Sequence, residues 1–159
     1  MRNVYRVLAR LIAFGVVIQA ASIAFAMFGL TSWIGSGGTL DKAAMESETT
    51  QFTGISGFPA HGMVGMMAIP ALALLLVIVS FFAKVPGGVK WALMVFGAVV
   101  LQVALALLGR NLGLPALGLL HGANAFVLLA LAEVAARRAR SAQPAVTAAD
   151  RDPVGSVAR

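Results

Sequence analysis

The sequence predicts an all-α integral membrane protein, a four-helix bundle made of two repeated helical hairpins. Of its 159 residues, 60% are hydrophobic and only 11% are charged, and the mean hydropathy is +0.91. A soluble domain of this length cannot bury that much apolar surface, whereas a bilayer can cover it. Four apolar runs reach the roughly 20 residues that a helix needs to cross the hydrocarbon layer, and none alternates as a barrel strand would.

The predicted bundle occupies residues 1–140, and residues 141–159, which are small and polar, are predicted to form a disordered cytoplasmic tail. The spans are predicted at about 11–30, 61–83, 91–109 and 114–136. Ten of the twelve lysines and arginines lie at one set of span ends, and only Lys42 and Arg110 lie at the other. For a protein of the cell inner (plasma) membrane, the positive-inside rule therefore predicts two cytoplasmic termini.

The first span has two interpretations. Its basic start, its apolar stretch and the Ala-Phe-Ala sequence at 24–26 are also typical of a cleavable signal peptide. A retained helix is favoured because Ile18–Leu30 (IQAASIAFAMFGL) has a counterpart in Leu101–Gly113 (LQVALALLGRNLG). Both segments place a glutamine inside a span, followed by alanine-rich residues and a glycine at the outer side.

The only two histidines complete this repeat. The stretches HGMVGMM and HGANAFV begin at His61 and His121, so a Gln-containing helix, an outer loop and a His-Gly helix occur twice in the same order. Both halves cross the membrane in the same sense, and parallel repeats of this kind are related by an axis along the membrane normal. This arrangement predicts that the two imidazoles lie at similar outer depths and face each other across the bundle.

An ionisable residue inside a membrane indicates a functional site. We interpret His61 and His121 as axial ligands of a b-type haem, because haem iron accepts imidazole nitrogen and bundle cores commonly hold cofactors. Gly65, Gly122 and Ala125 lie beside these ligands and would leave room for a flat macrocycle. In the alternative interpretation, each histidine bonds a neighbouring helix and the small residues only allow close helix packing.

Other polar residues have two interpretations each. Arg110, at the outer end of the third span, would pair with a haem propionate or serve as an ordinary interfacial arginine. Gln19 and Gln102 are predicted to donate interhelical hydrogen bonds, and Asn124 to orient a ligand or bridge helices. Three methionines follow His61, and thioethers with imidazole suit copper, although such methionines are more often core filler. The chain has no cysteine, which excludes disulfides and c-type haem attachment.

The segment Leu101–Arg138, LQVALALLGRNLGLPALGLLHGANAFVLLALAEVAARR, resembles the closing helix pair of a haem A synthase half-domain. That family is built from two four-helix halves, each with a pair of histidines that can ligate haem, and this chain looks like one half standing alone. It is also similar to small four-helix membrane proteins of unassigned function in actinobacteria. The resemblance implies that His61 and His121 are the axial ligands.

The resemblance does not extend to the family's oxidising half, which carries a glutamate within the bundle and often an outer cysteine pair. Here the outer acidic residues lie in the long loop, so haem A synthesis is in doubt and enzyme activity stays open. We predict a membrane b-type haem protein that transfers electrons or handles haem. Its predicted partners are lipid and a redox or membrane-complex partner, and its oligomeric state stays open. The alternatives are a cofactor-free subunit of a larger complex and a transporter. The transporter is the less favoured of the two, because the chain has too few buried charges for a coupled proton pathway.

Overall fold

The computed structural model describes residues 1–47 and 49–141, which form helices joined by turns and short loops. In chain order the helices are α1 (Arg2–Gly35), α2 (Lys42–Glu46), α3 (Gly57–Met63), a π-helical turn (Val64–Ala68), α4 (Ile69–Ser80), α5 (Gly88–Leu112) and α6 (Pro115–Ser141). From α3 to α4 the chain is one continuous second span, Gly57–Ser80. Apart from Ser141, the last residue of α6, the predicted tail lies outside the described residues.

Four of these helical segments are long and apolar enough to cross a membrane, so the all-α fold class is confirmed and the chain is a multi-pass membrane protein. The helices are longer than the predicted spans, because hydropathy marks only the part inside the hydrocarbon. Helix α1 has 34 residues. At about 1.5 Å per residue it measures about 51 Å, compared with about 30 Å for the hydrocarbon layer.

The four membrane helices form a closed ring in which α1 and α5 each pack against both α4 and α6. The second span and α6, which carry the two histidines, are therefore diagonal neighbours across the bundle. Small side chains fill much of the interior, and among the described residues six alanines have no exposed surface: Ala9, Ala26, Ala73, Ala92, Ala132 and Ala135. In lipid, close backbone approach at such residues supplies the packing that holds helices together.

Large apolar side chains cover the outside of the bundle, as contact with lipid requires. Phe28 is 78% exposed, Phe126 is 76% exposed and Leu119 is 75% exposed. In water, an apolar surface spread over four helices would drive aggregation. The exposed apolar surface and the helix lengths together indicate that lipid surrounds the bundle.

Polar and aromatic contacts tie the helices at the end where the chain's first residues lie. The Tyr5 hydroxyl donates a hydrogen bond to the Gly88 carbonyl at 3.0 Å, which joins α1 to the start of α5. The Arg138 guanidinium lies 4.9 Å from the centre of the Trp91 ring, a cation–π contact between α6 and α5. These contacts hold α1, α5 and α6 together at this end of the bundle.

The second span is interrupted one turn after His61 by the π-helical turn. Pro70 has no backbone N–H to donate to the carbonyl four residues earlier, so the regular ladder cannot continue through this position. The Ile69 N–H instead bonds the Val64 carbonyl, five residues back. Pro70 is thus accommodated by widening one turn, a common adjustment in membrane helices.

Gly57 lets the second span begin in direct contact with α1. A Cβ at this position would meet the Ser22 carbonyl oxygen and lie 2.9 Å from the Ala26 Cβ, so any side chain would push the two helices apart. We expect Gly57→Ala to lower the free energy of unfolding by about 1–3 kcal/mol, the usual cost of overpacking. Thermal unfolding in detergent measures this change.

Gly97→Ala is the matched control, because a Cβ at Gly97 has no atom within 4 Å. Alanine favours a helix more than glycine does, so this variant should be as stable as the parent or more stable by up to about 1 kcal/mol. Equal unfolding temperatures for the two variants would contradict close packing at Gly57.

Candidate functional site

The two histidines meet inside the bundle, near the end where the second span begins and α6 begins. Their ring centroids are 6.3 Å apart and their ring planes are inclined by 57°. His61 comes from the second span and His121 from α6, the diagonal pair of the helix ring. The prediction that the imidazoles face each other across the bundle is confirmed.

Each imidazole is held by a main-chain carbonyl of the preceding span in its own hairpin. His61 Nδ1 lies 3.0 Å from the Gln19 carbonyl oxygen, and His121 Nδ1 lies 3.0 Å from the Gln102 carbonyl oxygen. A carbonyl oxygen only accepts, so Nδ1 of each ring must carry the proton and donate. In a neutral imidazole this leaves Nε2 with a free lone pair, and among the described residues neither Nε2 has a hydrogen-bond partner.

The same glutamine-to-histidine contact therefore occurs in both hairpins, which supports the repeat on structural grounds. The predicted role for the glutamines was interhelical donation by their side chains. Gln102 does this, since its Nε2 donates to the His121 carbonyl at 2.9 Å. Gln19 does not, because its Nε2 is buried and has no hydrogen-bond partner in the part of the chain that the structure describes. The contact that the hairpins share uses backbone carbonyls, which no sequence pattern marks.

The second hairpin carries an additional network around His121. Asn124 Nδ2 donates to the Ala98 carbonyl at 2.9 Å and to the Gln102 side-chain oxygen at 2.6 Å. Asn124 thus bridges α6 to α5, which is one of its two predicted roles. The equivalent position of the first hairpin, three residues after His61, is Val64, which has no polar side chain.

Both histidines border a cavity of about 470 Å³ in the bundle, and apolar side chains form most of its lining. Gly122 leaves open space, since a Cβ there would have no atom within 4 Å, and Ala125 lines the same cavity. Gly65 also lines it, but the space that its missing side chain leaves is taken by Gln19. A Cβ at Gly65 would lie 3.1 Å from the Gln19 side-chain oxygen.

Arg110 lies at the exposed outer end of α5, next to a smaller space. This groove of about 380 Å³ is lined by Arg110 and His121 together with apolar and small residues of the α5–α6 turn. The groove and the cavity share His121, so a group in the cavity could extend a polar end toward Arg110. Within the described residues Arg110 has no ion pair with a carboxylate.

The donor set limits which metals the chain alone can hold. Within the described part of the chain, no three His, Asp or Glu side chains gather where they could hold a metal ion. Of the methionines that suggested copper, Met66 lines the cavity, whereas Met63 and Met67 are 63% and 68% exposed. Two imidazoles alone leave most coordination positions of a metal ion unfilled. Such a pair suits a metal ion that is already held by a macrocycle, which supplies the other ligands.

The comparisons with known proteins name no activity. Residues 50–111 match the profile of a family of unknown function (DUF6220), a stretch that holds His61 and Gln102 and excludes Gln19 and His121. No curated protein and no solved structure matches the chain. Functional inference therefore depends on the geometry of the site itself.

The unequal surroundings of the two glutamines generate a test. Gln102→Leu removes a donor and an acceptor and leaves an Asn124 hydrogen unpaired, so we expect it to lower the free energy of unfolding by about 1–3 kcal/mol. Gln19→Leu removes a buried donor that has no partner, so it should cost less than about 1 kcal/mol or stabilise the protein. Thermal unfolding of the cofactor-free protein in detergent compares them, and an equal loss in both variants would contradict the network.

Proposed function

We propose that the protein is a membrane b-type haem-binding protein in which His61 and His121 are the two axial ligands. Its role would be electron transfer or haem handling, in keeping with its resemblance to one half of haem A synthase. The observation that carries the proposal is the pair of imidazoles 6.3 Å apart, each with Nδ1 held by a carbonyl. Metal-ligating histidines commonly donate their other ring N–H to a carbonyl or carboxylate in this way.

The separation of the rings fits one metal ion between them. Two nitrogen–metal bonds of about 2 Å each, with roughly 1 Å from each nitrogen to the centre of its ring, place the centroids about 6 Å apart. The observed distance is 6.3 Å. The inclination between the rings is no obstacle, because each imidazole can rotate about its own bond to the metal without changing the bond length.

The space around the histidines fits an apolar macrocycle. Its volume, about 470 Å³, lies within the range of cofactor and ligand cavities, and its lining is largely apolar. Gly122 and Ala125 would lie beside the macrocycle, and Gly65 would make room for the Gln19 side chain that borders it. Arg110, on the groove that shares His121, would hold a propionate through its guanidinium.

When bound, a haem would supply an iron that takes up and releases one electron. The chain's own residues would orient it, since each histidine is held through Nδ1 and presents Nε2 as the ligand. The apolar lining would exclude water from the site, and Arg110 would balance negative charge at its outer end. Ligation by two strong protein donors favours electron transfer over chemistry at an open iron position.

The charge pattern supports one orientation of this site relative to the membrane. We propose that the chain lies in the cell inner (plasma) membrane with both termini in the cytoplasm, which puts the histidines near the outer surface. Ten of the twelve basic residues lie on the side assigned to the cytoplasm. A redox partner or donor would then meet the haem edge from the outer side or within the membrane.

The absorption spectrum of protein expressed with ample haem supply and purified in detergent tests the proposed ligation. We expect a six-coordinate, low-spin b-type spectrum and carbon monoxide binding weaker than that of a five-coordinate variant, because carbon monoxide must first displace an imidazole. Replacing either histidine with alanine should remove the haem or leave a five-coordinate form that binds carbon monoxide readily. The helices should still insert, because insertion depends on hydrophobic length.

Asn3→Ala, an exposed change in the first turn of α1, is a control that should keep the spectrum of the parent. Intact protein that purifies without colour would reject the haem proposal and favour a cofactor-free membrane subunit. Two alanine variants that both keep the parental spectrum would reject His61 and His121 as the ligands.

The proposed orientation is tested by cysteine labelling. The chain has no cysteine, so Ser47→Cys and Ser141→Cys each introduce a single thiol. A membrane-impermeant maleimide added to intact cells should label Ser47→Cys at once and Ser141→Cys only after the membrane is opened, because the basic span ends stay in the cytoplasm. Labelling of Ser141→Cys from outside intact cells would contradict the proposed orientation and indicate the opposite one.

A further inference from the structure

We infer that the two axial positions are not equivalent: His121 is the permanent ligand, and His61 is the exchangeable one. The His61 side would then be a binding position for a small neutral ligand of the iron, such as a diatomic gas. This inference rests on the proposed haem, and it follows from differences between two hairpins that are otherwise built alike.

His121 is held on several sides. Its Nδ1 donates to the Gln102 carbonyl, its own carbonyl accepts from Gln102 Nε2, and the Gln102 side-chain oxygen is fixed by Asn124. Asn124 is 8% exposed and is anchored in turn to the Ala98 carbonyl. Residues 118–124 around His121 belong to one regular helix, α6. These bonds fix the stretch of α6 backbone that carries His121, because several of them must break for that backbone to move.

Among the described residues, His61 makes one hydrogen bond, from Nδ1 to the Gln19 carbonyl. The Ser22 hydroxyl also lies 3.2 Å from this carbonyl, although its shorter contact, at 2.7 Å, is with the Ile18 carbonyl. No side chain of α1 reinforces the backbone around His61 as Gln102 does around His121. The Gln19 side chain adds nothing to His61, because its Nε2 has no partner and its oxygen faces Gly65.

The backbone that carries His61 is also less regular. The π-helical turn begins three residues after it, and Val64 replaces the asparagine that anchors the second hairpin. π-helical turns inside α-helices occur frequently at functional sites. The helix around His61 therefore has a less regular hydrogen-bond ladder, and no polar side chain anchors it at the position that corresponds to Asn124.

The exchange is a simple ligand substitution. His61 Nε2 would keep its electron pair on leaving the iron, and the incoming neutral ligand would supply an electron pair in its place. Nothing would be oxidised or reduced and no proton would move, because Nδ1 of His61 would keep its proton and its hydrogen bond to the Gln19 carbonyl. His121 would remain the ligand that holds the haem in the bundle.

Paired glycine variants of the haem-loaded protein test this inference, with carbon monoxide and imidazole as probes. His61→Gly should keep most of its haem, become five-coordinate and bind carbon monoxide in the reduced state, and added imidazole should restore the low-spin spectrum. His121→Gly should lose most of its haem during purification, because the remaining ligand is the weakly held one. The reverse pattern, or equal haem loss from both variants, would overturn the inference.

A second comparison leaves both histidines in place. Asn124→Val gives the second hairpin the residue that the first has at this position, and it should lower haem affinity about fivefold or more by loosening His121. Asn3→Val is the control, because Asn3 is an exposed asparagine in the first turn of α1, far from the histidines. Unchanged haem affinity in Asn124→Val would overturn the inference, whereas a parent protein that binds no haem would overturn the proposed function itself.

Discussion

The fold around the site depends on one hydrogen bond made twice, from a histidine Nδ1 to the carbonyl of a glutamine on the preceding span. In lipid an imidazole needs a partner, and within a helix only carbonyls with a spare lone pair are available. Each bond ties the two helices of a hairpin at one depth and orients its imidazole. Because both hairpins use it, the two Nε2 atoms are left for a shared ligand.

The two hairpins use the same contact but surround it differently. In the second hairpin, Gln102 and Asn124 form a closed network in which each amide satisfies the other. In the first hairpin, Gln19 has the same backbone role, but its side chain has a buried donor with no partner among the described residues. The two hairpins thus share the backbone bond and differ in the side chains around it, so that the backbone near His121 has more hydrogen bonds to hold it than the backbone near His61.

Small residues serve two purposes in this bundle. Fully buried alanines such as Ala73 and Ala132 bring the helices together without polar contacts. Gly57 likewise lets the second span pack directly against α1, whereas Gly122 and Ala125 border the cavity beside the histidines. The same residue types therefore close the packing at some positions and leave space at others, and the sequence alone does not separate the two uses.

The sequence by itself determined the four spans, the pairing of hairpins and the pair of imidazoles, because hydrophobic length and the position of rare ionisable residues are local properties. The widened turn that accommodates Pro70 became visible only in the structure. Helix ends were less predictable: the second span begins at Gly57, four residues before His61, because Pro59 fits the first turn of a helix. Only the tertiary structure decided that Gln19 fills the space beside Gly65, and that backbone carbonyls hold both imidazoles, since such contacts join residues 42 and 19 positions apart.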